Sequence, residues 1–223
     1  MSKSNLLPLL IDLSNKKIVI FGAGKVAERK ARLFLDYANV TVVNNHFSST
    51  LSQLKDKAGA GQFQSGAGQL SLIAADLGHL TDEQLSDILS DAFLVIPATA
   101  EPLLNAQLAQ IAKDCGALVN TVDNRGEVVV PSIVTQGDIL IGISTKGTSP
   151  ALSKYMRNKI EHIITPQYAA MARLQDEMRE YYKQHIDAQD ERKQKLWQLL
   201  NNDAIWVALT EDYDKALKLA HSL

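Results

Sequence analysis

Short apolar runs alternate along the first half of this chain with stretches in which apolar residues recur every three or four positions. The first run, Lys17–Phe21, is β-branched and aromatic and reads as a buried strand. From Lys25 onward, Ala27, Ala31, Phe34, Leu35 and Ala38 share one helical face. Arg29, Lys30 and Arg32 fall largely on the other face and read as solvated charge or, more sharply, as an attraction for an anionic ligand. Residues 40–43 and 70–74 repeat the strand pattern. Thr81 and Gln84 have the spacing of a capping box and predict a helix start. Residues 93–96 are wholly apolar, as in a strand covered on both faces, with Pro97 placed at its end. Pro102 suits the first turn of a helix running to about residue 114, and residues 117–121 make a further strand. Residues 6–13 read as an edge segment leading into the first strand. Strands alternating with helices in this way predict a parallel, doubly wound α/β sheet.

The rhythm changes after Asp123. Residues 128–134 and 139–144 are β-rich runs on either side of Thr135-Gln136-Gly137-Asp138, a hairpin signal. A two-stranded element is marginal by itself, so pairing with the same hairpin of a second copy, in a homodimer, is expected. Ser149 offers an N-cap and Pro150 a first helical residue. No strand signal follows Leu152, and helices are predicted near 152–163, 166–187, 190–200 and 203–222.

The chemistry is concentrated where the first strand stops. Gly22-Ala23-Gly24-Lys25-Val26-Ala27 has the form G-x-G-x-x-A between a strand and a helix. That order suits a dinucleotide pyrophosphate: Gly22 permits the tight turn, Gly24 lacks a Cβ that would hold a phosphate away, and Ala27 lets helix and strand press together. The helix N-terminus adds unpaired N–H groups and about half a positive charge. At the end of the second strand, where an acid for the adenosine ribose is usual, stand Asn44-Asn45-His46. Asparagines can bond a ribose hydroxyl without repelling a 2′-phosphate, so NAD against NADP stays open, with a weak preference for NAD expected. His46 reads as a loop histidine beside the adenosine. The glycines from Gly59 to Gly68 have no strand before them and read as a surface loop. Ala98-Thr99-Ala100-Glu101 lies at the carboxyl end of the sheet, where ligands bind.

Composition removes other classes. The net charge of −2 over 223 residues leaves no nucleic-acid footprint. The single Cys115 excludes an internal disulfide and a Cys-based zinc site, and reads as a buried structural thiol. The five histidines form no cluster at helical spacing, so no resident metal site is expected. The apolar stretch of residues 6–11 is too short to span a membrane and is interrupted by Pro8, so the chain reads as cytoplasmic.

Gly22-Ala23-Gly24-Lys25-Val26-Ala27-Glu28-Arg29-Lys30 resembles the glycine turn G-G-G-x-V-A-x-R-K of the precorrin-2 dehydrogenase family, which also forms the N-terminal part of siroheme synthases. The likeness continues in order through Ala98-Thr99 with Asn105, Val119-Asn120-Thr121-Val122-Asp123, Pro131-Ser132-Ile133-Val134 and the run from Ile143 to Leu152. It covers about residues 7–160. The resemblance implies a Rossmann-type domain over residues 1–122, a small β region for dimerisation over 123–147, and an all-helical C-terminal domain over 148–223. It implies oxidation of precorrin-2 to sirohydrochlorin with NAD as hydride acceptor, and in some relatives insertion of Fe2+ to give siroheme. A homodimer joined through the β region, with a tetrapyrrole cleft between cofactor domain and helical tail, is also implied. The cofactor role transfers to Gly22, Gly24, Lys25, Val26, Asn45, His46 and Thr99, to which Asn44 is added from its strand-end position. The family's catalytic aspartate falls on Asp123, and a serine phosphorylated in some relatives falls on Thr145. Two departures stand beside the implied substrate cleft: the Asp123-to-Pro131 spacing is shorter than usual, and Lys146 replaces a glycine.

Removing two hydrogens from a tetrapyrrole takes a hydride acceptor, the cofactor, and a proton acceptor, for which Asp123 is the candidate. Asp123-Asn124-Arg125-Gly126 is also good turn chemistry. Precorrin-2 is rich in carboxylates, so cations and helix N-termini should bind it; Lys146, Thr148, Ser149, Lys154 and Arg157 meet that description. Fe2+ would be a substrate. Two alternatives remain. One is a non-catalytic NAD-sensing dimer, for which no basic patch or DNA-reading helix is evident. The other is an unrelated small NAD-dependent dehydrogenase, against whose short-chain type the lack of a Tyr-x-x-x-Lys pair after the sheet is taken to argue.

Overall fold

A computed structural model describes residues 5–63, 68–121 and 127–223. The chain forms two compact units, divided between Val130 and Pro131.

The first unit is the expected parallel sheet. Its strands are β1 (Lys17–Phe21), β2 (Asn39–Asn44), β3 (Leu70–Ala74), β4 (Ala92–Pro97) and β5 (Leu118–Val119). Four helices alternate with them: α1 (Lys25–Phe34), α2 (Ser49–Gly59), α3 (Asp82–Leu89) and α4 (Pro102–Asp114). The spatial order is β3-β2-β1-β4-β5, so the chain runs to one side of β1, then crosses over and fills the other. The carboxyl ends of β1 and β4 therefore border the crevice where an open α/β sheet takes its ligand. Ile18, Val19, Ile20 and Phe21 of the central β1 are fully buried. Ile18 and Ile20 join the apolar layer under α1 and α2, and Val19 and Phe21 join the layer containing Leu85, Leu89, Leu108 and Ala112 of α3 and α4. The capping box is formed: the Gln84 N–H donates to Thr81 Oγ1 at 3.2 Å and the Thr81 N–H to Gln84 Oε1 at 2.9 Å.

Residues 6–13 form no strand, and Leu7, Leu9, Leu10 and Ile11 are exposed. Cys115 is exposed rather than buried. It caps the C-terminus of α4 just before Gly116, whose φ of 80° turns the chain toward β5. The predicted run 128–134 is divided. Val128 and Val130 pack on the core of the first unit, and pairing begins only at Ser132.

The second unit opens with an antiparallel hairpin of β6 (Ser132–Gln136) and β7 (Ile139–Ile143), turned at Gly137 and Asp138. Gly137 has φ 56°, as a two-residue hairpin turn requires. Helices α5 (Pro150–Ile163), α6 (Pro166–His185), α7 (Gln189–Leu200), α8 (Asp203–Glu211) and α9 (Tyr213–His221) follow. Met171, Leu174, Met178 and Tyr182 make one stripe on α6, against which Leu199, Ile205, Ala208, Ala216 and Ala220 pack. The single last helix predicted over 203–222 is two helices. Asp212 leaves the helical region at φ −156°, and its carboxylate accepts the Asp214 N–H at 2.9 Å, starting α9 afresh. Among the described residues no helix is long and apolar enough to cross a membrane.

Candidate functional site

The turn from β1 into α1 is built from backbone constraints. Phe21 pairs with Pro97 across the switch point, the Gly22 N–H donates to Val43 O at 2.9 Å, and the Ala98 N–H donates to Phe21 O at 2.8 Å. Gly22 has φ 105°, and a Cβ there would stand 2.5 Å from the Ala98 carbonyl oxygen, so only glycine fits. Gly24 is different. Its backbone is extended (φ −80°, ψ −178°), and an added Cβ would meet nothing within 4 Å. The emptiness lies toward a cleft of about 600 Å³ lined by Gly22, Gly24, Lys25 and Val26. Among the described residues no side chain caps α1, which leaves its first-turn N–H groups for a ligand. A pyrophosphate fits these residues: open space at Gly24, uncapped N–H donors, and the Lys25 cation.

The same cleft is lined by Asn44, Asn45 and His46 at the end of β2 and by Thr99 after β4. All eight cofactor residues inferred from the sequence thus meet around one space. Two neighbours had no assigned role. Asn105 on α4 holds the Thr99 loop: its Oδ1 accepts the Thr99 N–H at 3.0 Å and the Thr99 hydroxyl at 2.7 Å, while its Nδ2 donates to Thr99 O at 3.1 Å. Asp76, beyond β3, lines the cleft opposite that loop. Its signal was its place at the carboxyl end of a strand in a parallel sheet.

Lys30 does not sit in solvent as its face of α1 suggested. It is half-buried, and its Nζ donates to Asn120 Oδ1 at 2.9 Å. Asn120 is fully buried, and its Nδ2 donates to Val128 O at 2.7 Å. The Val128 N–H donates to Val119 O at 3.3 Å, so the two ends of the segment containing Asp123 are tied together and to α1. Asp123 itself lies outside the described residues. Burial, with a smaller contribution from Arg29, pushes the Lys30 ammonium down to about 8. Between that value and the ordinary lysine range the unfolded chain holds a proton that the folded one has lost, so stability attributable to Lys30 rises with pH there. Relative to Lys30→Met, the wild type should gain of order 2 kcal/mol between pH 7.5 and 10, read as a widening difference in melting temperature. A constant difference would show that Lys30 is not desolvated.

A second cleft of about 440 Å³ borders the Thr99 loop and includes Pro97, Asn105 and Thr121. The Thr121 hydroxyl is buried with no hydrogen-bond partner among the described residues. A larger open groove of about 1210 Å³ lies on the second unit around Trp197 and Asn201, and none of the inferred site residues lines it.

The inferred substrate residues lie at the start of α5. Ser149 caps the helix, accepting the Leu152 N–H at 3.2 Å. Lys146, Thr148 and Lys154 are exposed. Arg157 reaches Glu161 at 3.8 Å. Thr145 orders this turn: its hydroxyl accepts the Ser149 N–H and donates to Ser149 O, each at 3.0 Å, and lies 3.1 Å from the Ser153 hydroxyl. The expectation that no Tyr-x-x-x-Lys pair follows the sheet is corrected: the spacing occurs at Tyr155 and Lys159, on α5 of this second unit, with the Lys159 ammonium 5.6 Å from the ring centre.

The model of an NAD(P)-binding family matches residues 9–132. Over 220 residues the chain is 46% identical to a precorrin-2 dehydrogenase of Methanosarcina barkeri, covering 99% of this chain and 94% of that protein. The chain belongs to the precorrin-2 dehydrogenase family. It is 31% identical over 208 residues to siroheme synthase 2 of Yersinia pseudotuberculosis, covering 92% of this chain but only 40% of that longer protein. The solved structure of SirC, a precorrin-2 dehydrogenase, superimposes with a TM-score of 0.71 at 20% identity, covering 98% of this chain and 100% of that one. The two share the fold.

In this member of the precorrin-2 dehydrogenase family the backbone at Lys146 is strained. It has φ 52°, a left-handed conformation that glycine adopts freely and lysine only with strain. A glycine would suit this turn better, so the lysine here puts a cation where backbone preference opposes it.

Proposed function

We propose that this chain oxidises precorrin-2 to sirohydrochlorin with NAD⁺ in siroheme biosynthesis. The observation that carries this is the cleft at the switch point, where Gly24 leaves space and uncapped N–H donors for a pyrophosphate, in a chain matched almost end to end by a precorrin-2 dehydrogenase. Bound NAD⁺ supplies the hydride acceptor. The turn of Gly22, Gly24, Lys25 and Val26 holds its pyrophosphate, Asn44, Asn45 and His46 border its adenosine, and Asn105 holds the Thr99 loop toward its other end. Asp123 takes the proton that leaves as the hydride departs. Lys146, Thr148, Ser149, Lys154 and Arg157 bind carboxylates of the tetrapyrrole. Fe2+, if inserted afterwards, enters as a substrate. The test supplies precorrin-2 and NAD⁺ and follows sirohydrochlorin absorbance, with and without Fe2+. Formation of sirohydrochlorin supports the reading, and no NAD⁺-dependent change removes it. A further change only with Fe2+ present identifies chelation.

The working form in this reading is a cytoplasmic homodimer built on the hairpin. Supporting it, β6 and β7 have no other strand to pair with among the described residues, and Leu140, Leu152, Tyr155, Met156 and Ile163 of the same unit are exposed. Light scattering at micromolar concentration should give twice the chain mass. A fully active monomer would count against it.

A further inference from the structure

The adenosine end of the cleft has no acid on β2, where dinucleotide sites usually carry one. Asn44 is not a simple substitute. Its Nδ2 donates to His46 O at 2.7 Å and to Asn45 Oδ1 at 3.3 Å, so the amide folds back on its own turn. The neighbouring strand brings a carboxylate to the same place. β2 and β3 are parallel with Asn44 opposite Ala74, and the Ala75 N–H donates to Asn44 O at 3.2 Å. The chain then reaches Asp76, which lines the cleft together with Asn44, Asn45 and His46. The other carboxylate of the cleft, Glu101, belongs to the loop after β4, toward the opposite end.

Asp76 is held in one orientation. Its Oδ1 accepts the Gly78 N–H at 3.1 Å, its Oδ2 lies 2.9 Å from His79 Nδ1, and the His79 N–H donates to its carbonyl at 3.1 Å. The carboxylate is thus a positioned charge rather than a freely rotating one. We propose that Asp76 selects NAD⁺ over NADP⁺, its carboxylate, delivered by β3, repelling a 2′-phosphate as an acid at the end of β2 does in other dinucleotide sites. The hydrogen bonds from His79 and Gly78 hold its pKa below the ordinary aspartate range, which keeps it ionised at working pH. Among the described residues that line the cleft, the lysine is Lys25, on the pyrophosphate side in the first turn of α1.

This rests on the nucleotide reading above, and calorimetry separates the two. NAD⁺ and NADP⁺ are titrated at pH 8 into the full-length wild type, Asp76→Asn and His79→Ala. Asparagine keeps an oxygen for the Gly78 N–H and removes only the charge. The expected result is a roughly fivefold tightening of NADP⁺ in Asp76→Asn, the size of one carboxylate acting on a nearly doubly charged phosphate across water. NAD⁺ affinity should change less than twofold, and the gain for NADP⁺ should shrink in about 0.5 M salt. His79→Ala, which keeps the charge, should keep the preference for NAD⁺. An unchanged affinity ratio in Asp76→Asn, or equal weakening of both dinucleotides, makes Asp76 a turn-former and overturns the proposal. Wild type that binds neither dinucleotide overturns the nucleotide reading itself, a failure visible before any variant is made.

Discussion

Asp123→Asn is expected to slow sirohydrochlorin formation by about 10²–10⁴-fold, or roughly 3–5 kcal/mol of barrier, with NAD⁺ affinity and melting temperature unchanged. Asparagine keeps the size and hydrogen-bonding capacity of the side chain but has no basic oxygen to take a proton. If Asp123 serves only the turn it shares with Asn124, Arg125 and Gly126, asparagine is an equally good turn residue and the rate hardly moves. The two roles therefore separate on one substitution. A loss under about fivefold assigns the residue to the turn and moves the proton to another group or to water. A loss of two orders in a folded, NAD⁺-binding variant supports the base. Repeating the assay with Fe2+ then asks whether proton removal from the pyrrole nitrogens uses the same carboxylate.

Gly24→Val should abolish detectable NAD⁺ binding while leaving the melting temperature within a few degrees of wild type. The backbone there is extended and an added Cβ meets no atom within 4 Å, so the protein itself does not resist the side chain. The isopropyl group instead fills the space that a pyrophosphate needs against the N-terminus of α1. Gly22→Ala predicts the opposite balance. Its φ of 105° and the 2.5 Å approach to the Ala98 oxygen set the new methyl against the sheet, with a cost of roughly 3 kcal/mol or more to folding. Calorimetry with NAD⁺ and thermal unfolding, run on both variants, check the pair. Unchanged cofactor affinity in Gly24→Val would remove the central assignment.

The contrast between these glycines shows what was legible beforehand. The motif already assigns Gly22 to the tight turn and Gly24 to the approach of a phosphate, and the open space at Gly24 agrees with that division. What the motif does not show is why Gly22 admits no side chain: the Ala98 carbonyl, brought beside it by the pairing of β1 with β4. Lys30 was misread for a similar reason. Its place on α1 is polar by helical spacing, but the segment around Val128 and Val130 packs on that layer and Asn120 accepts the ammonium there. Cys115 erred the other way: a residue type that is usually buried falls at a helix end that points outward.

What the sequence by itself determined is what neighbouring residues decide among themselves. The strand–turn–helix at Gly22 to Ala27, the reciprocal cap of Thr81 and Gln84, the turn at Gly137 and Asp138, and the start of α5 at Ser149 and Pro150 each need only contacts within a few residues. The tertiary structure alone decided which distant residues share a space. The order β3-β2-β1-β4-β5 sets Asp76 beside Asn44, Thr99 beside Gly22, and Asn120 within reach of Lys30. Those adjacencies come from strand pairing and from layers packed across the sheet, where the partners of a residue lie far along the chain and its charge is felt in an environment that local spacing does not describe.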